Sequence, residues 1–81
     1  MTEEYWKEQA SSILIAKIKR KNIKYHTLAL MLKDMDKNIE ETQNSIATKI
    51  SRGTFSFAFF LQCMAALGID NIELELNMEE K

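Results

Sequence analysis

The sequence predicts a mainly α protein, four helices followed by a short C-terminal strand, and three observations carry that reading. Proline is absent and glycine occurs only at Gly53 and Gly68, whereas turn-rich sandwiches and barrels need far more of both. Apolar residues recur at three- and four-residue spacing through most of the chain, which is the period of a helix face. The end of the chain then switches to strict alternation, the period of a half-buried strand. With 81 residues there is room for one small core. The expected organisation is a helical domain over 1–69 and a strand with an acidic tail over 70–81.

The first helix is expected from about Glu4 to Asn22, with Trp6, Ala10, Ile13, Leu14 and Ile18 as its apolar stripe. Bases from Lys17 to Lys21 fill its last turns, where they complement the helix dipole. The second helix runs from Tyr25 to Met35 and repeats Leu28, Met31, Leu32 and Met35. Asn38-Ile-Glu-Glu41 has capping-box spacing and announces the third. Ile39, Ile46 and Ile50 face inward on it, and Gly53 sits where a left-handed C-terminal cap belongs. Ser56 caps a fourth helix that carries Phe57, Phe60, Leu61, Met64 and Leu67 and stops at Gly68. In the tail Ile72, Leu74, Leu76 and Met78 alternate with Glu73, Glu75 and Asn77. A lone strand cannot satisfy its own backbone, so the expectation is pairing with a second copy in a homodimer.

The net charge of −1 hides a strong partition. Residues 1–12 sum to −2, residues 13–54 carry nine bases against four acids for +5, and residues 55–81 sum to −4. A basic middle between acidic ends suits a nucleic-acid face and is also what a solvated helix surface produces. One cysteine makes neither an internal disulfide nor a CxxC metal site. No apolar run approaches the ~20 residues of a membrane-spanning helix, and the acidic N-terminus is unlike a signal peptide. The expectation is a soluble cytoplasmic protein with no metal, no cofactor and no membrane partner.

Lys49-Ile-Ser-Arg-Gly53, then Ser56 opening a helix that ends Ala-Leu-Gly-Ile69, resembles the lambda-repressor-like (Cro/repressor, XRE-type) helix-turn-helix domains. Leu28-Ala29 with Leu32 matches their second helix, where a small residue permits close crossing. The longer string Lys49-Ile-Ser-Arg-Gly-Thr-Phe-Ser56, with Phe60-Leu-Gln-Cys63 and Ala66-Leu-Gly68, is similar to a small bacterial family of uncharacterised domains, over about residues 6–70. The broader resemblance implies double-stranded DNA as partner and transcriptional regulation as role, with the third helix in the major groove. Carried over by position, base-reading falls on Gln43, Asn44, Ser45 and Thr48, and phosphate contacts fall on Lys49 and Arg52. Lys17, Lys19, Arg20 and Lys24 extend the phosphate set from the basic middle. Helix geometry places Glu41, Asn44, Thr48, Ser51 and Arg52 opposite the inward isoleucines and turns Gln43 toward the inward flank.

A second reading is a protein-interaction module of the same fold. The connection from Lys33 to Glu41 is longer than the family's usual turn, and Tyr25 stands where the family often has Gln. Glu40 and Glu41 in the first turn of the third helix would repel phosphate. Leu30 and Met31 occupy positions that are usually polar and exposed, and would be covered by the long connection or by a partner protein. Catalysis finds no motif here: there is no GxGxxG, Walker loop, HExxH or nucleophile triad. His26 reads as a surface or capping residue and Cys63 as a buried structural thiol. Phe55, Phe57, Phe59 and Phe60 read as core rather than as base-stacking platforms, with Phe57 and Phe59 unable to face inward together. Trp6 is expected to anchor the first helix, and the five methionines to fill gaps in the core.

Overall fold

A computed structural model describes residues 1–76, and four helices make up the fold. They are α1 (Glu3–Arg20), α2 (Tyr25–Met35), α3 (Gln43–Arg52) and α4 (Phe57–Leu67). Helix α2 lies against both α3 and α4, and α1 lies against α3. The core between them is Leu14 and Ile18 from α1, Leu28, Ala29 and Leu32 from α2, and Ile46 and Ile50 from α3. Helix α4 adds Phe59, Phe60, Cys63, Met64 and Leu67, and Ile39 enters from the α2–α3 connection. No polar or charged residue is buried as a whole among the described residues, although the Glu41 side chain is largely covered.

Each helix stops for a local reason. The Thr2 hydroxyl caps α1 by accepting from the Tyr5 N–H at 3.1 Å, with Glu3 and Glu4 in the first turn and Lys17, Lys19 and Arg20 in the last. The helix ends two residues before Asn22, which takes the left-handed conformation (φ 57°). The Asn22 N–H then returns to the Lys19 carbonyl and the Ile23 N–H to that of Ile18, a Schellman closure that Asn tolerates better than most residues. Ser56 caps α4 through the Phe59 N–H at 2.9 Å, and Gly68 (φ 76°) closes it. Gly53 (φ 68°) closes α3.

The two glycines differ in what surrounds them. A Cβ on Gly68 would meet nothing, so only the backbone conformation demands glycine there. A Cβ on Gly53 would strike the Lys7 carbonyl oxygen and lie 2.9 Å from the Ser11 hydroxyl. The end of α3 therefore rests directly on the backbone of α1. One turn along, the Ser11 hydroxyl donates to the Ile50 carbonyl. Together these contacts clamp α1 to α3.

The start of α3 departs from expectation. Asn38 does not cap it: the Asp36 carboxylate accepts from the Asn38 N–H at 2.9 Å and the Asp36 carbonyl from the Ile39 N–H at 2.9 Å. That Asx turn competes successfully with helix initiation. The helix begins four residues later, at Thr42, whose hydroxyl accepts from the Ser45 N–H at 3.0 Å while the Ser45 hydroxyl accepts from the Thr42 N–H at 2.8 Å. This is a reciprocal capping box with Ser, rather than Glu, at its third position.

Three further expectations are corrected. In α4 the buried row is Phe59, Phe60, Cys63, Met64 and Leu67, and Phe57 and Leu61 point outward; the pair that cannot both face inward resolves in favour of Phe59. Trp6 is 43% exposed, its edge against the Tyr5 ring at 4.9 Å, and does not anchor α1 in the core. The C-terminal strand through Ile72, Leu74 and Leu76 does not form among the described residues. The physical reason is the missing ladder: Ile72 packs on the core and the Lys17 ammonium takes the Glu73 carbonyl at 2.9 Å. A side chain thus takes the place of a paired backbone. Met78 lies outside the described residues.

Candidate nucleic-acid interface

Helix α3 reads QNSIATKISR, with two bases and no acid. Ile46 and Ile50 turn one face into the core, which leaves Gln43, Asn44, Thr48, Ser51 and Arg52 exposed on the rest. Gln43 is exposed and does not turn inward as its place on the helix suggests; it is the first residue of α3, after the Thr42 cap. Ser45 is half-buried and committed locally: its hydroxyl donates to the Glu41 carboxylate at 2.6 Å and accepts from the Thr42 N–H. The polar side chains with free reach on this face are Gln43, Asn44 and Thr48.

Glu40 and Glu41 precede α3 instead of opening it. The Glu41 side chain is 9% exposed and folds back beneath the helix, where the Ser45 hydroxyl and the Lys49 ammonium hold it. Lys49 also lies 4.6 Å from the centre of the Phe59 ring, a cation–π contact that fixes its stem along α4. One acid and one base thus neutralise each other at the root of α3. Sequence periodicity does not reveal this pair, because eight residues separate its members and the bend before Thr42 brings them together.

The bases proposed for phosphate are distributed over separate surfaces. Lys17 and Arg20 line a groove of about 470 Å³ between α1 and the chain after α4, together with Lys21 and the acids Asp70, Glu73 and Glu75. Lys19 and Lys24 are exposed. Arg52 lies in a second groove with Tyr25 of α2 and with Glu4 and Glu8 of α1. On α2, Leu30 is 59% exposed while Met31 packs partly against the core.

Cys63 is fully buried, and burial pushes its thiol up to about 12, with the Glu41 carboxylate adding to the shift and the Lys49 ammonium opposing it. A thiol held neutral in this way is inert toward electrophiles and metals. His26 is exposed at the start of α2. Among the described residues no three His, Cys, Asp or Glu side chains are grouped to hold a metal ion. No helix among them is long and apolar enough to cross a membrane.

A family model described as a domain of unknown function, DUF6471, matches residues 6–72, which takes in all four helices apart from the first turn of α1. The chain belongs to that family. The matched residues include the capped start of α3, its polar face, Gly53 and the whole of α4. No curated protein and no solved structure matches the chain.

Proposed function

We propose that this DUF6471 domain is a DNA-binding protein of lambda-repressor-like helix-turn-helix type, a transcriptional regulator that sets α3 in the major groove. The observation that carries the reading is the outward face of α3: exposed Gln43, Asn44, Thr48, Ser51 and Arg52 on an acid-free helix. Gln and Asn pair bidentately with adenine edges, and Thr contacts bases or the thymine methyl. The inward fold of Glu41 supports it, since one of the two acids that would repel phosphate is neutralised by Lys49, while Glu40 stays exposed. Because Lys49 and Lys17 are engaged within the chain, the phosphate-holding set narrows to Lys19, Arg20, Lys24 and Arg52.

Four phosphate contacts correspond to a loss of affinity of about 10²-fold between 50 and 200 mM salt. Selection from a random duplex pool at low salt tests the reading. Enrichment of a site, with Asn44→Ala and Thr48→Ala relaxing its sequence by about 1–3 kcal/mol per lost contact, is expected. Arg52→Ala should weaken all sequences alike. No enriched site and no salt-dependent binding would overturn it.

A second reading is a protein-interaction module, favoured by Leu30, which stands 59% exposed on α2 with no neighbour folded over it from the α2–α3 connection. Under that reading, partner binding is lost on Leu30→Ser and is indifferent to Asn44→Ala.

A further inference from the structure

The chain that follows α4 is anchored at its start and charged beyond. The Ile69 N–H returns to the Met64 carbonyl at 2.9 Å, and Ile69 and Ile72 pack on the core. Asp70, Glu73 and Glu75 then border the groove whose other side, on and just after α1, carries Lys17, Arg20 and Lys21. Three acids thus share one groove with three bases. Those bases belong to a larger set: Lys17, Lys19, Arg20, Lys21 and Lys24 place five positive charges within eight residues, with no acid among them. A run of that density attracts a phosphate backbone by releasing its condensed counterions. The acids of the tail oppose that field where it is densest.

The hold of the tail on α1 is of a kind that can be exchanged. Its one direct link to a base is the Lys17 ammonium, which donates to the Glu73 carbonyl at 2.9 Å. A carbonyl is a neutral acceptor, whereas a phosphate oxygen carries a charge and competes well for the same ammonium. None of the three carboxylates makes a close ion pair with these bases among the described residues. Their attraction therefore acts across the groove, where salt screens it over about 10 Å at 0.1 M. Glu73, Leu74, Glu75 and Leu76 are all exposed, so lifting them from α1 gives up little packing. Ile69 and Ile72 stay as the hinge.

We propose that residues 73–76 form an electrostatic strap over the basic end of α1, which withholds Lys17 and Lys21 from a DNA backbone until phosphates displace it. The inference rests on the DNA reading above and adds a built-in competitor to it. With the strap closed, phosphate meets Lys19, Arg20, Lys24 and Arg52; with it displaced, Lys17 and Lys21 join them. Two added contacts steepen the dependence of log affinity on log salt by about 1.8.

Fluorescence anisotropy of a labelled mixed-sequence duplex, titrated with full-length chains, tests it. Glu73→Gln with Glu75→Gln is expected to bind about tenfold or more tightly than the native chain at 50 mM salt, an advantage that shrinks about tenfold by 200 mM. Glu3→Gln with Asp34→Asn removes as many acids from outside the groove and should gain far less. Lys17→Ala should cost the Glu73→Gln, Glu75→Gln chain about tenfold at 50 mM and the native chain much less, because only the first has Lys17 on phosphate from the outset. The two glutamates are exposed and glutamine keeps their size, so far-UV circular dichroism should be unchanged. A gain no larger than that of the Glu3→Gln, Asp34→Asn control overturns the strap and leaves the DNA reading standing. So does an equal cost of Lys17→Ala in both chains. If neither the native chain nor the Glu73→Gln, Glu75→Gln chain binds the duplex at low salt, the DNA reading falls and the strap with it.

Discussion

Cys63 shows how far one residue's chemistry follows from where its helix places it. Sequence reading assigns it to the core from the surrounding Phe60, Met64 and Leu67, and it is fully buried there. What the sequence does not disclose is the electrostatic setting, because Glu41 and Lys49 reach it from a different helix and from the bend before that helix. The unfolded chain releases the thiol proton near the ordinary 9.0, and the folded chain holds it to about 12. The stability this contributes is complete below pH 9 and drains away as pH rises toward about 12, with a slope of at most about 1.4 kcal/mol per pH unit. Urea midpoints measured between pH 8 and 11 should fall for the native chain more steeply than for Cys63→Ala, the difference isolating the thiol from the lysines. Iodoacetamide should react with the folded chain only at the rate of unfolding. Phe57 and Phe59 teach the complementary lesson: their spacing shows that only one can be buried, and the choice of Phe59 depends on Phe55 at 5.8 Å and on Lys49 above its ring.

Among the elements, the bounds of α2 and α4 were readable: Ser56 and Gly68 punctuate α4 at its two ends, and the apolar repeat marks out α2, which has no side-chain cap at its start. The start of α3 was not, because two segments with capping chemistry stand four residues apart. Asn38 and Glu41 have the stronger textual signature, but Asp36 takes the Asn38 N–H first and commits that segment to a turn. Thr42 and Ser45 then close the helix reciprocally. The displacement matters for the candidate interface. It moves both acids off α3, leaves Ser45 as a capping residue, and frees the side chain of Gln43. Thr42→Ala removes one half of the box and should cost about 1 kcal/mol, read as a shift in the urea midpoint with unchanged slope. Loss of helix signal should be confined to the first turn of α3, where amide exchange of residues 44 to 46 should accelerate. Ser45→Ala should cost a similar amount and also release Glu41 toward solvent. If α3 reads DNA, Ser45→Ala then weakens binding by setting the acid free.

At the scale of the whole molecule, the four-helix architecture was legible from period and punctuation alone, whereas the tertiary use of Gly53 was not. Both glycines read as helix terminators, and both have positive φ. Only the packing distinguishes them. Gly68→Ala meets open space and should cost about 1–2 kcal/mol for the left-handed backbone. Gly53→Ala adds a collision with the Lys7 backbone, worth about 1–3 kcal/mol more. Chemical denaturation of the two variants should therefore separate them clearly, and equal costs would mean that α1 yields without resistance. The tail is the counterexample, where period 2 described the residues correctly but could not supply the strand they would need to pair with.

The clamp of α1 on α3 also sets an order in time. Ser11 and its acceptor, the Ile50 carbonyl, are thirty-nine residues apart. At about 5–20 residues per second on the ribosome, the helix made first waits roughly 2–8 s for the surface it will cover. Through that interval Leu14 and Ile18 have no α3 to bury them, while α2 can engage α3 as soon as the second of the two is complete. Birth order and docking order thus run opposite for α1. The apolar stripe of α1 therefore stays unburied until α3 follows it from the ribosome.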